Sequence, residues 1–178
     1  MNIKRNLGRS LAIAAAFAIG GLGLTGVASA STARPAAIQT FSDCVFLTSD
    51  GHYLTAVGGG GRTKDVIHTD AVRFGAWERF QIWDLGDGHY GIRTANLHWL
   101  TAVGGGGRIT DVIHSDVSHL QSWEKFSLVY LGSGEYAIQT INGHYLTAVG
   151  GGGRITDTIH SDATRVLGWE KFRFACGL

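Results

Sequence analysis

Arg62, His68 and Asp70 lie close together in the chain, and the same types recur at Arg108, His114 and Asp116 and at Arg154, His160 and Asp162. A guanidinium forks onto two oxygens. An imidazole donates or accepts, and a carboxylate accepts from hydroxyls. Each arginine directly follows four glycines, which permit positive φ and let backbone amides come close to a ligand. An aromatic residue (Tyr53, Trp99 or Tyr145) stands near the start of each set and offers a ring face for stacking. On a strand, His68 and Asp70 share a face opposite Ile67, and the two are expected to pair. These donors, acceptors and rings suit a neutral polyol, so each set is a candidate sugar subsite. A structural reading stands beside it: an Arg–Asp pair and a capped turn, repeated three times.

Other chemistries fit less well. The run D-x-x-H-x-D supplies metal-ligand types, but two fall on one face of a strand and one on the other, so no metal is expected. No nucleophile elbow, zincin helix or phosphate-loop signature is present. GGGGR lacks the Lys-Ser/Thr of a phosphate loop. A His/Asp pair without a nucleophile is a poor enzyme, so no catalytic residue and no cofactor are expected.

The elements that position these residues come in three copies. HYLTAVGGGGRTKDVIHTD begins at His52, HWLTAVGGGGRITDVIHSD at His98 and HYLTAVGGGGRITDTIHSD at His144, a step of 46 residues. Fourteen of the nineteen positions are identical in all three. Trp77, Trp123 and Trp169 keep the same step, in WERF, WEKF and WEKF. The apolar stretches after them drift while the charged residues stay fixed, so something besides packing holds those charges. Each copy reads as four short strands: FLT, GIRT or AIQT; then HYLTAV or HWLTAV; then KDVIHT, TDVIHS or TDTIHS; then WERFQIW, WEKFSLV or WEKFRFA. Twenty-seven glycines and weak helical periodicity argue against helices.

Residues 41–178 number three periods of 46 with none left over. The expected architecture is all-β: a β-trefoil of twelve strands in three pseudo-symmetric four-stranded repeats, closed so that no sheet edge is exposed. Leu54, Ile67, Phe80 and Ile82 should point inward, with Leu100, Ile113, Phe126, Leu128, Leu146, Ile159, Phe172 and Phe174 as their copies. The three tryptophans should pack at the barrel rim. Cys44 occupies the repeat slot of Tyr90 and Tyr136, and Cys176 that of Asp84 and Tyr130. Those slots flank tight hairpins, where cross-strand side chains touch. A Cys44–Cys176 disulfide is therefore expected to close the ring where the chain ends meet.

GHYLTAV before a glycine-rich turn, with WEKF closing each unit, resembles the fascin-like β-trefoils, which include actin-bundling proteins. The resemblance covers all three repeats. It implies the trefoil fold and, as a partner, a protein filament such as actin. A single Gln81-Ile82-Trp83 matches the Q-x-W of ricin-type lectins once and is not repeated.

Lys4, Arg5 and Arg9, the apolar run Leu11 to Leu24 and Ala28-Ser29-Ala30 read as a secretion signal over residues 1–30, followed by a linker over 31–40. Removing it leaves 12 Lys+Arg against 14 Asp+Glu, with no basic stripe, so nucleic acid is not an expected partner. No later run is long and apolar enough to span a membrane. The expectation is a secreted, extracellular monomer that binds a cell-surface or polymeric carbohydrate at up to three like sites. A protein filament is the alternative partner, and a protease-inhibitor role is a third reading.

Overall fold

Short β-branched and aromatic runs between glycine turns become twelve strands in the computed structural model, which describes residues 38–178. The expected signal segment and most of the expected linker lie outside the described residues. The strands are β1 (Gln39–Leu47), β2 (Tyr53–Ala56), β3 (Ile67–Ala71), β4 (Phe80–Asp84), β5 (Tyr90–Arg93) and β6 (Trp99–Ala102). They continue with β7 (Ile113–Val117), β8 (Lys125–Gly132), β9 (Glu135–Thr140), β10 (Tyr145–Ala148), β11 (Ile159–Ala163) and β12 (Phe172–Ala175). Three single 3-10 turns, at Val57–Gly59, Val103–Gly105 and Val149–Gly151, are the helical elements among the described residues.

Antiparallel pairing runs β1–β4–β5–β8–β9–β12 and returns from β12 to β1. Six strands thus form a closed barrel, which leaves no barrel edge free to pair with another chain. The other six form three hairpins, β2–β3, β6–β7 and β10–β11. Each joins the barrel through one short pairing, to β1, β5 or β9.

All twelve strands contribute to one apolar core. Its largest fully buried side chains are Phe46, Phe80, Phe126 and Phe172. Phe46 and Phe80 meet edge to face, with ring centroids 5.6 Å apart. Ten of the expected inward residues belong to the core cluster, and the other two, Leu128 and Phe174, pack against it half-buried. Cys44 and Cys176 are bonded, with Sγ atoms 2.01 Å apart. The register explains why. Asp84 faces Tyr90 and Tyr130 faces Tyr136, and the cysteines hold the corresponding slots where the chain closes on itself.

Several boundaries differ from the sequence reading. β1 starts at Gln39, inside the expected linker, because Gln39 and Thr40 continue the pairing with β4 beyond a bulge at Asp43. β3, β7 and β11 start three residues late. Asp65, Asp111 and Asp157 adopt left-handed conformations (φ 50°, 51° and 49°) that turn the chain just before the strand. Trp77, Trp123 and Trp169 precede the last strand of their repeats and lie in turns. They are not packed at the rim but stand half-exposed, at 50%, 48% and 51%.

Candidate functional site

The glycine-rich loops are occupied by the protein itself. The Gly61 amide donates to the Ser115 carbonyl, and the Ser115 amide donates to the Arg62 carbonyl, at 2.7 and 2.8 Å. Ser161 clasps Gly107 and Arg108 in the same way, and Thr69 clasps Gly153 and Arg154. Each hairpin therefore grips the loop of another, and the three grips close into a ring. The Asn96 side chain donates to the Gly58 carbonyl, and its backbone amide donates to that of Gly59, both at 2.9 Å. The His98 ring lies against Gly61, with His144 on Gly107 and His52 on Gly153 as its counterparts. The glycines admit a neighbouring strand, and the last glycine amide of each loop is spent on it, while the one before it closes its own turn.

The arginines and histidines are held internally too. Arg62 Nε donates to the Lys64 carbonyl at 3.2 Å, and its terminal nitrogen reaches Asp65 at 3.3 Å. His68 Nε2 meets the other oxygen of Asp65 at 2.6 Å. Arg108–Asp111–His114 and Arg154–Asp157–His160 repeat this geometry. The expected His68–Asp70 pairing is thus replaced by His68–Asp65. The left-handed turn at Asp65 brings its carboxylate back over the strand, where a two-residue period alone would not put it. The His114 hydrogen bond, with nearby cations adding to it, holds the Asp111 carboxyl below the usual carboxylate range.

The three turns surround a broad depression of about 780 Å³ on the pseudo-three-fold axis. Ile109 and Ile155 line it beside the three paired aspartates, whereas the first copy places Thr63 and Lys64 there.

A buried acid accounts for another repeated feature. Thr55 Oγ1 donates to Glu78 Oε1 at 2.7 Å, and the Gly75 amide donates to Oε2 at 2.6 Å. Thr101–Glu124 with Gln121, and Thr147–Glu170 with Leu167, do the same. All three glutamates are buried. YLTA and WEKF, the motifs behind the fascin-like resemblance, are therefore the two halves of an internal hydrogen bond that pins the turn before β4, β8 or β12 to its own hairpin.

The aromatic candidates divide. Trp99 is buried, edge to face with Trp83 at 5.5 Å, and the Arg93 guanidinium lies 5.2 Å from its ring centre. It offers no free stacking face. Tyr53 is half-buried against Phe74 at 5.4 Å, and Tyr145 is also half-buried.

Asp70, Asp116 and Asp162 are what remains. They are exposed on the outer face of β3, β7 and β11, and make no hydrogen bond or ion pair among the described residues. Each lies in the same repeat as a half-exposed tryptophan, Trp77, Trp123 or Trp169. The exposure of the tryptophans is what the sequence did not show. Their exact 46-residue step was visible, but an aromatic before a strand reads first as packing. Among the described residues no group of three or more metal-ligating side chains converges, and no helix is long and apolar enough to cross a membrane.

No family model matches the chain, and no curated protein does. Solved structures resemble it in fold. A designed three-fold symmetric protein, ThreeFoil, superposes with a TM-score of 0.65 at 14% identity, over 76% of this chain and 97% of that one. The Rhizoctonia solani agglutinin gives 0.61 at 12%, over 76% and 95%. SeviL, solved bound to the asialo-GM1 saccharide, gives 0.58 at 14%, over 78% and 99%. With the closed barrel and its three hairpins, these likenesses show a β-trefoil fold.

Proposed function

We propose that this chain is an exported, non-catalytic carbohydrate-binding module with three like sites. Each site is centred on the exposed carboxylate of Asp70, Asp116 or Asp162 and the tryptophan of the same repeat. One observation carries the reading. Thr55, Arg62, Asp65 and His68 are identical across the copies, and each has a partner inside the fold. Asp70 is equally invariant and has none among the described residues. Hydrogen bonds and ion pairs within the fold account for the first four, and the exposed fifth is the one we assign to a ligand. A carboxylate that accepts from hydroxyls and a ring that stacks on a sugar face are the usual means of gripping a polyol.

The fold shared with an agglutinin and with a saccharide-bound protein supports the reading. The Cys44–Cys176 bond fits an oxidising, extracellular setting. A protein filament is the competing partner, and the motifs that suggested it are satisfied internally. The test is a glycan array probed with the purified protein beside filament co-sedimentation. Glycan binding that soluble sugar competes away, without co-sedimentation, is the expected result. Co-sedimentation with no glycan bound would replace this reading by the filament one.

A further inference from the structure

Between the invariant aspartate and the half-exposed tryptophan, the loops read AVRFGA, VSHLQS and ATRVLG. Most positions have a visible reason to be kept or to drift. Ala71, Val117 and Ala163 face the start of a neighbouring strand at Tyr53, Trp99 and Tyr145. Phe74 and Leu120 pack on Tyr53 and beside Trp99. Gly75, Gln121 and Leu167 contribute only an amide to the buried glutamate, so their side chains are free to vary. One slot has no such reason. Arg73, His119 and Arg165 keep a basic type, are exposed, and make no hydrogen bond or ion pair among the described residues.

Each repeat thus presents an unpaired acid, a base three residues on, and an exposed ring four residues after that. Ala71 lies opposite Tyr53, and the Trp77 carbonyl accepts from the Ala56 amide on the edge of β2 that faces away from β3. The loop therefore crosses from one edge of β2 to the other, from its first residue to its last. The loop's anchor points, Ala71 and Trp77, are two strand spacings apart across β2 and three residues apart along it, on the order of 14 Å in all. That span exceeds one sugar ring and suits two or more.

Resting on the carbohydrate reading above, we propose that these sites select carboxylated oligosaccharides. The ligand's hydroxyls meet Asp70, its carboxylate meets Arg73, and a neighbouring ring stacks on Trp77. Asp116, His119 and Trp123, and Asp162, Arg165 and Trp169, do the same in their repeats. A guanidinium–carboxylate contact is charge-assisted and geometrically selective, so it distinguishes acidic from neutral sugars.

The experiment measures binding of sialyllactose and oligogalacturonate against lactose and neutral oligogalactose, within a wider glycan array. It compares the wild type with Arg73→Ala/Arg165→Ala and Arg73→Lys/Arg165→Lys. The wild type is expected to bind an acidic probe about tenfold or more tighter than its neutral counterpart. The alanine variant loses most of that preference at an unchanged melting temperature, with only the His119 site left, and the lysine variant regains part of it. Neutral probes bound equally well, with the alanine variant unaffected, would overturn the inference and leave the carbohydrate reading standing. An array on which only neutral glycans bind would do the same. An array with no glycan bound would overturn both.

Discussion

Glu78, Glu124 and Glu170 each accept two hydrogen bonds in a buried setting, from a threonine hydroxyl and a backbone amide. Removing one carboxylate orphans both donors. Glu124→Ala should therefore lower unfolding stability by about 2 kcal/mol, read by urea denaturation. Asp70→Ala leaves no group unpaired and should stay within about 0.5 kcal/mol of wild type in the same assay. A loss of 2 kcal/mol there would make the residue structural. The sequence showed which polar residues repeat, but not which of them pair. Alternation put His68 and Asp70 on one face, yet a bulge interrupts the register between His68 and Ala71, and the partner of His68 is Asp65, whose left-handed turn lies outside any two-residue period. Acid titration separates these carboxylates. Asp87 is held at about 2 by the hydrogen bonds it accepts from the Lys125 ammonium and the His89 amide, and Asp111 is held low chiefly by His114. Both folded values lie below the unfolded one near about 4. Their stabilisation is therefore present above that value and is lost as pH falls through the lowered ones. Melting temperatures should fall between about pH 4 and pH 2, and less steeply in Asp87→Asn than in wild type. Equal slopes would contradict the assignment for Asp87.

The GGGGR loop is the element whose role changed most between sequence and structure. Its glycines suggested room for a ligand, and the room is taken by the neighbouring repeat. Gly60 has φ +102°, and a Cβ there would collide with the Thr94 hydroxyl. Gly60→Ala should cost about 2 kcal/mol or more, from strain and collision together. Gly88 also has positive φ but faces open space, so Gly88→Ala should cost about 1 kcal/mol, from the backbone alone. Denaturation midpoints of the two variants check the difference, and equal costs would mean that the loop is loosely held. Strand identity was legible because short apolar runs between turn residues leave few alternatives. The starts of β3 and β4 were not, because Asp65 and Trp77 look like strand residues until a turn is fixed by contacts distant in sequence. Nothing local marks the Thr55–Glu78 bond, which joins residues 23 apart.

At the scale of the whole molecule, the 46-residue step and the two cysteines were enough to anticipate a closed ring, and the disulfide joins residues 132 apart in the chain. Cys44→Ser/Cys176→Ser should lower stability by roughly 4–5 kcal/mol, read by guanidinium titration under non-reducing conditions. A loss below about 1 kcal/mol would mean that the β1–β12 pairing closes the barrel unaided. On the proposed carbohydrate reading, three-fold repetition also makes valency part of the function. Linked sites multiply affinity for a polymer, so losing one should weaken binding by far more than a third. The central claim is that the invariant aspartates serve a ligand, since the structure gives them nothing else to hold. Its most direct test is the affinity of the Asp70→Ala/Asp116→Ala/Asp162→Ala variant for whichever array glycan the wild type binds, measured on protein whose melting temperature matches wild type. Binding reduced by about a hundredfold or more is the predicted result. Binding as tight as wild type would contradict the account and remove the third-strand face from the site.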